Sequence, residues 1–104
     1  MSKECAARTI LVYGEVKHVG FRRFIWGLAK RLGLRGYVSN LPENGVKIYV
    51  EGEPEKIERF EKRVSQNKVY KVERIEVRES ECRGVYNDFM IIKCASETEL
   101  YGEG

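Results

Sequence analysis

Arg8-Thr9-Ile10-Leu11-Val12-Tyr13-Gly14-Glu15-Val16-Lys17-His18-Val19-Gly20-Phe21-Arg22 is the stretch on which the fold turns. Its first half is a β-branched and apolar run closed by a glycine, the pattern of a strand. A loop follows from Gly14 to Gly20. Beyond it the period changes. Phe21, Phe24, Ile25, Leu28, Ala29 and Leu32 recur at helical spacing, with Arg22, Arg23, Lys30 and Arg31 outside the apolar stripe. Gly33 stops this helix as a C′ residue, and Leu34 folds back as the hydrophobic contact of a Schellman ending.

Working outward, residues 36–40 read as a second, short strand. Val46, Ile48 and Val50 alternate with Lys47, Tyr49 and Glu51, giving a third strand with one buried face. Asn44-Gly45 between them signals a hairpin. Pro54 opens a second helix, whose core stripe is Ile57, Phe60 and Val64. Residues 69–79, with Val72, Ile75 and Val77, read as a fourth strand, and 89–93 as a fifth. The order β-α-β-β-α-β with an additional short strand predicts a ferredoxin-like α/β (α+β) sandwich. Its sheet is antiparallel, with both helices on one face. One domain is expected over residues 1–94. The tail, 95–104, lacks an apolar period and is expected to be loose. Trp26 reads as a core-edge residue, and Phe89 and Met90 read as core.

At 104 residues the chain suits a single domain. No apolar run approaches the roughly 20 residues that span a bilayer, and the N-terminus lacks a signal-peptide core. A soluble, cytoplasmic protein with no membrane partner is expected. The net charge is +3, and Lys and Arg are interleaved with Glu over residues 55–63, a solvated face rather than a nucleic-acid footprint. Arg35-Gly36-Tyr37-Val38 faintly echoes an RNA-recognition signature. It falls on the second strand, and Ser39 and Asn40 stand where aromatics are needed, so no nucleic-acid partner is expected. With one His (His18) and one Asp (Asp88), a Ser-His-Asp triad and a multi-histidine metal site are poorly supplied. Cys5, Cys82 and Cys94 lack metal-ligand spacing, and their odd count argues against a disulfide framework; Cys5 reads as an inert thiol. Scarce Gln beside abundant Glu, Lys and Arg leans toward a thermophilic source.

The Gly14–Gly20 loop feeds a helix N-terminus, where unpaired backbone N–H groups and the positive end of the helix dipole can cradle an anion. Arg22 adds a fork of donors suited to phosphate. The loop is not a Walker loop, because it lacks Gly-Lys-Ser/Thr. Spacing alone leaves two readings open, a phosphate cradle or two turn-forming glycines beside a solvated arginine.

The pattern Gly14-x-Val16-x-x-Val19-x-Phe21-Arg22 resembles the acylphosphatase signature Gly-x-Val-Gln-Gly-Val-x-Phe-Arg. The likeness continues through Ala29-x-x-Leu32-Gly33-Leu34-x-Gly36-Tyr37-Val38-x-Asn40, the Asn44-Gly45 hairpin and a strand ending Glu51-Gly52. The resemblance implies the same sandwich and a hydrolase that splits acyl phosphates into a carboxylate and inorganic phosphate without metal or other cofactor. By motif, Arg22 and Asn40 would be catalytic, Arg22 binding phosphate and Asn40 positioning the attacking water. Glu15, Val16, Lys17, His18 and Val19 would supply the cradle amides. The implied partners are a small-molecule acyl phosphate and its phosphate product. A monomer is expected, with an exposed edge strand that permits a dimer.

Two positions depart from the pattern. Lys17 replaces Gln and His18 replaces Gly, which would cost about 1 kcal/mol if that position needs φ > 0. The alternative expectation is therefore an acylphosphatase-like anion-binding module with weak or no turnover. Residues 19–26 also resemble the acylphosphatase-like domain of hydrogenase-maturation carbamoyltransferases. Those domains stand at the front of long chains, and a free-standing enzyme is the simpler expectation.

Overall fold

The computed structural model describes residues 4–16, 20–42 and 44–92. Its elements are β1 (Ala6–Glu15), α1 (Phe21–Arg31), β2 (Arg35–Asn40), β3 (Gly45–Gly52), α2 (Pro54–Ser65), β4 (Lys71–Ser80) and β5 (Phe89–Ile92). They form one five-stranded sheet in the order β4-β1-β3-β2-β5. The pairs β1/β3, β1/β4 and β2/β3 are antiparallel, while the short additional strand β5 joins β2 in parallel. The first six elements are the expected ferredoxin-like sandwich.

Strand alternation divides the sheet into two faces. One carries Ile10, Val12, Val38, Val46, Ile48 and Val50, packed against Phe21, Ile25, Leu28, Ile57, Phe60 and Val64 in a single buried core. These are the positions the two sequence periods select. Helix α1 ends as its sequence directs: Gly33 has φ 71°, its N–H donates to Lys30, and Leu34 N–H donates to Ala29. Pro54 occupies the first turn of α2. Strand β4 begins at Lys71 rather than 69, because Asn67 Oδ1 takes the amides of Val69 and Tyr70 and holds them in a turn. Phe89 is buried as expected. Met90 is not core: it lies on the other face of an edge strand and is 47% exposed.

The helix-free face has its own small cluster of Ala7, Tyr37 and Tyr49, packed against Cys82, Tyr86 and Ile92. Residues 81–88, between β4 and β5, cross this face as a strap. Glu51, fully buried, accepts hydrogen bonds from Tyr49 Oη and from the amides of Arg83 and Gly84, and pairs with Arg35. The two tyrosines retain 6% and 4% exposure, so they are covered rather than offered as stacking platforms.

One expectation is corrected. Cys5 is not a free thiol but is joined to Cys82 by a disulfide, with the Cα atoms 6.3 Å apart. An odd number of cysteines argues only that one is left over, and here a pair is brought together by strand register. The expected domain end at 94 and the loose tail lie outside the described residues. Among the described residues no helix is long and apolar enough to cross a membrane.

Candidate functional site

The site is built where β1 hands over to α1. The β1/β4 register shifts between Tyr13 and Gly14, where Glu73 is the extra residue on β4, and pairing resumes at Gly14 with Val72 and Glu15 with Lys71. On the β3 side, Gly14 N–H donates to Asn44 O of the β2–β3 connection, next to the Tyr13/Gly45 pair. Glu15 ends the strand exposed, and Val16 plunges into the core at 1% exposure. Lys17, His18 and Val19 lie outside the described residues. The loop is anchored again at Phe21, which is fully buried.

Gly20 occupies the N-cap position of α1 in the left-handed conformation, φ 84° and ψ 9°. Among the described residues no side chain caps this end, and its first turn holds no acidic residue. The leading amides of α1 thus meet no capping side chain among the described residues and stand at the positive end of the helix dipole, as an anion site requires. Tyr70 braces this corner: its ring packs edge-on against Phe21 at 5.2 Å and against Phe24 at 5.4 Å, and its hydroxyl donates to Gly20 O at 3.4 Å.

Arg22, in the first turn of α1, is half-buried, and its Nη1 donates to Ile92 O at 3.3 Å. The carbonyl of Asp88 accepts from Gly36 N–H of β2. That of Ile92, four residues further along β5, points to the same side, toward β2. Ile92 is in register with Ser39, so the Arg22 guanidinium lies beside the end of β2, where the next residue is Asn40.

Asn40 is opposite Val46 of β3, which places it on the helix-bearing face. Its Oδ1 is buried and has no hydrogen-bond partner among the described residues. Buried acceptors are nearly always satisfied, so this amide oxygen at the end of β2 has the capacity to accept a hydrogen bond from a water or ligand O–H. The fold therefore brings Arg22, Asn40 and the ends of the loop to one corner.

Sequence reasoning missed the supports. Tyr70 is 50 residues from Gly20 in the chain, and Ile92 acts through a backbone carbonyl that no side chain reports. For Tyr70 one local signal existed, the Asn67 turn that aims the following aromatic back toward α1.

With this geometry, the family model for acylphosphatases matches residues 8–91. An acylphosphatase of Archaeoglobus fulgidus is 46% identical over 54 residues, which is 52% of this chain and 61% of that protein. A probable carbamoyltransferase HypF of Methanocaldococcus jannaschii is 36% identical over 86 residues, 81% of this chain but 11% of that protein. The chain thus spans less than two thirds of the length of either of these relatives. The crystal structure of acylphosphatase from Bacillus subtilis matches with a TM-score of 0.78 and 32% identity, covering 84% of this chain and 98% of that one.

Proposed function

Because the chain belongs to the acylphosphatase family, we propose that it hydrolyses acyl phosphates, with Arg22 binding the phosphoryl group and Asn40 positioning the water. What supports this reading is that Asn40 Oδ1 is buried without a hydrogen-bond partner among the described residues, one position beyond Ser39, whose register partner Ile92 accepts from Arg22. The backbone amides of residues 15–19 and of the first turn of α1 complete the cradle.

The chemistry asks little of the side chains. A mixed anhydride has a good leaving group already, so catalysis rests on alignment and on stabilising charge at the phosphoryl oxygens. Water, held by Asn40 Oδ1, attacks phosphorus in line with the acyl oxygen. The P–O bond to the acyl group breaks, the carboxylate leaves with the electron pair, and both water protons remain on the dihydrogen phosphate product. Arg22 and the loop amides stabilise the equatorial oxygens throughout. Asn40 serves as an acceptor that orients, since no strong base is needed when the proton passes to phosphate.

The test is hydrolysis of benzoyl phosphate by wild type, Arg22→Ala and Asn40→Ala, with folding monitored by circular dichroism. Each variant is expected to lose about a hundredfold or more in kcat/KM, as for removal of one transition-state donor. Wild-type activity that survives both substitutions overturns the assignment.

A second reading is favoured by the likeness to the carbamoyltransferase, 36% identical over 86 residues. The same cradle would then serve as an anion-binding module with weak turnover, Lys17 and His18 having retuned the loop. Phosphate binding without benzoyl phosphate hydrolysis, and recovery of turnover in His18→Gly, would favour this reading.

A further inference from the structure

Helix α1 is fastened to the edge strand β5 by three side chains spaced one turn apart. Arg22 Nη1 donates to Ile92 O at 3.3 Å, Trp26 Nε1 donates to Phe89 O at 3.1 Å, and Lys30 Nζ pairs with Asp88 at 2.7 Å. Spacing of four residues puts all three on one stripe of the helix, reaching β5 from its end to its beginning. Lys30 also lies over the Trp26 ring, 5.6 Å from its centroid. Trp26 is the single tryptophan of the chain, and Asp88 its single aspartate. Both are committed to this seam.

Within the sheet, β5 is bound on one side only, by its four-residue pairing with β2. Alternation along the strand turns the Phe89 carbonyl away from β2, and the indole N–H satisfies it. Trp26 is 40% exposed, more than a residue placed for its apolar area, so its polar atom accounts for its position better than its ring does. An arginine side chain has large rotamer entropy, and a carbonyl fixed in place orders it before substrate arrives.

We propose that Trp26 is a positioning residue for Arg22. Its indole N–H locks β5 against α1, which sets the Ile92 carbonyl that aims the guanidinium at the phosphoryl group. The inference rests on the reading of Arg22 as the phosphate ligand. The experiment measures the inhibition constant of inorganic phosphate, and KM for benzoyl phosphate, in wild type, Trp26→Phe, Arg22→Lys and the double variant. Trp26→Phe keeps an aromatic ring and removes the donor, and a thermal midpoint near that of wild type establishes that it folds. Both constants are expected to rise together, roughly three- to tenfold, the range for loss of one hydrogen bond. In the Arg22→Lys background the same substitution is expected to change them by less than twofold, because the fork it orients is gone. Equal increases in both backgrounds, or no increase in either, overturn the positioning role. A phosphate inhibition constant unchanged in Arg22→Lys alone overturns the reading of Arg22 instead.

Discussion

Cys5 and Cys82 continue the pairing of β1 with β4: Ala7 lies opposite Ser80, and two residues further out on each strand the same register sets the two cysteines face to face. Their Cα separation of 6.3 Å is within the usual span of a disulfide. The bond closes a loop of 77 residues that contains nearly the whole fold. It also pins the start of the strap that leads to β5. Reduction with dithiothreitol, or Cys82→Ser, is expected to cost about 2–5 kcal/mol of stability through the freed unfolded chain. Urea unfolding checks this, and equal midpoints for oxidised and reduced protein would sink it.

Glu51 supports the strap from beneath. Burial pushes its carboxyl pKa up, but hydrogen bonds from Tyr49, the Arg83 and Gly84 amides and Arg35 outweigh it and hold the carboxyl below its ordinary 4.5. A lowered folded-state pKa stabilises the protein above the unfolded value, and that contribution is lost as pH falls through the folded value. Glu51→Gln is expected to be about 2–4 kcal/mol less stable than wild type at pH 7, since it removes the charged partner of a buried network. The gap should narrow as pH drops below 4.5, the ordinary value. Denaturant midpoints at pH 7 and pH 3 decide the matter; a gap that does not change with pH assigns Glu51 no charged role.

The parts of the fold that are local in sequence were legible. The switch of hydrophobic period at Phe21, Gly33 with Leu34, Asn44-Gly45 and Pro54 each specify an element by steric and hydrogen-bonding rules that act within a few residues. The disulfide was not, because it depends on the β1/β4 register, which long-range packing sets. Nor was the seam between α1 and β5, where two of three acceptors are backbone carbonyls. For the site, motif spacing singled out Arg22 and Asn40, which lie in the first turn of α1 and at the end of β2. What joins them, the parallel pairing of β5 with β2, leaves no local mark in the sequence.

Tyr49 is the counterpart of Glu51 at high pH. Burial and the hydrogen bond it gives Glu51 raise its pKa from 10.0 to about 12. A raised folded-state value means that this contribution to stability is complete below pH 10 and is lost as pH climbs toward 12. In an alkaline absorbance titration, Tyr49 is expected to ionise late, together with loss of the folded near-ultraviolet dichroism. Tyr49→Phe should remove that late step and leave the others. A titration in which all tyrosines ionise near pH 10 while the fold persists would contradict the hydrogen-bonded geometry.

Gly20 separates the demands of the fold from those of the site. Among the described residues a Cβ at this position would meet only Tyr70 Oη, at 3.7 Å, an ordinary van der Waals contact. The backbone is what limits: φ is 84°, a region an alanine enters at a cost of about 1–2 kcal/mol. Gly20→Ala is therefore expected to fold, with a thermal midpoint lowered by roughly 4–16 °C for a domain of this size. If the leading amides of α1 hold the phosphoryl group, relaxing φ toward negative values turns them away, and activity should fall further than stability does. The expected result is at least a tenfold loss of kcat/KM for benzoyl phosphate, measured well below the midpoint where the variant is fully folded. A variant that loses stability but keeps full activity would place the anion elsewhere than at this helix terminus.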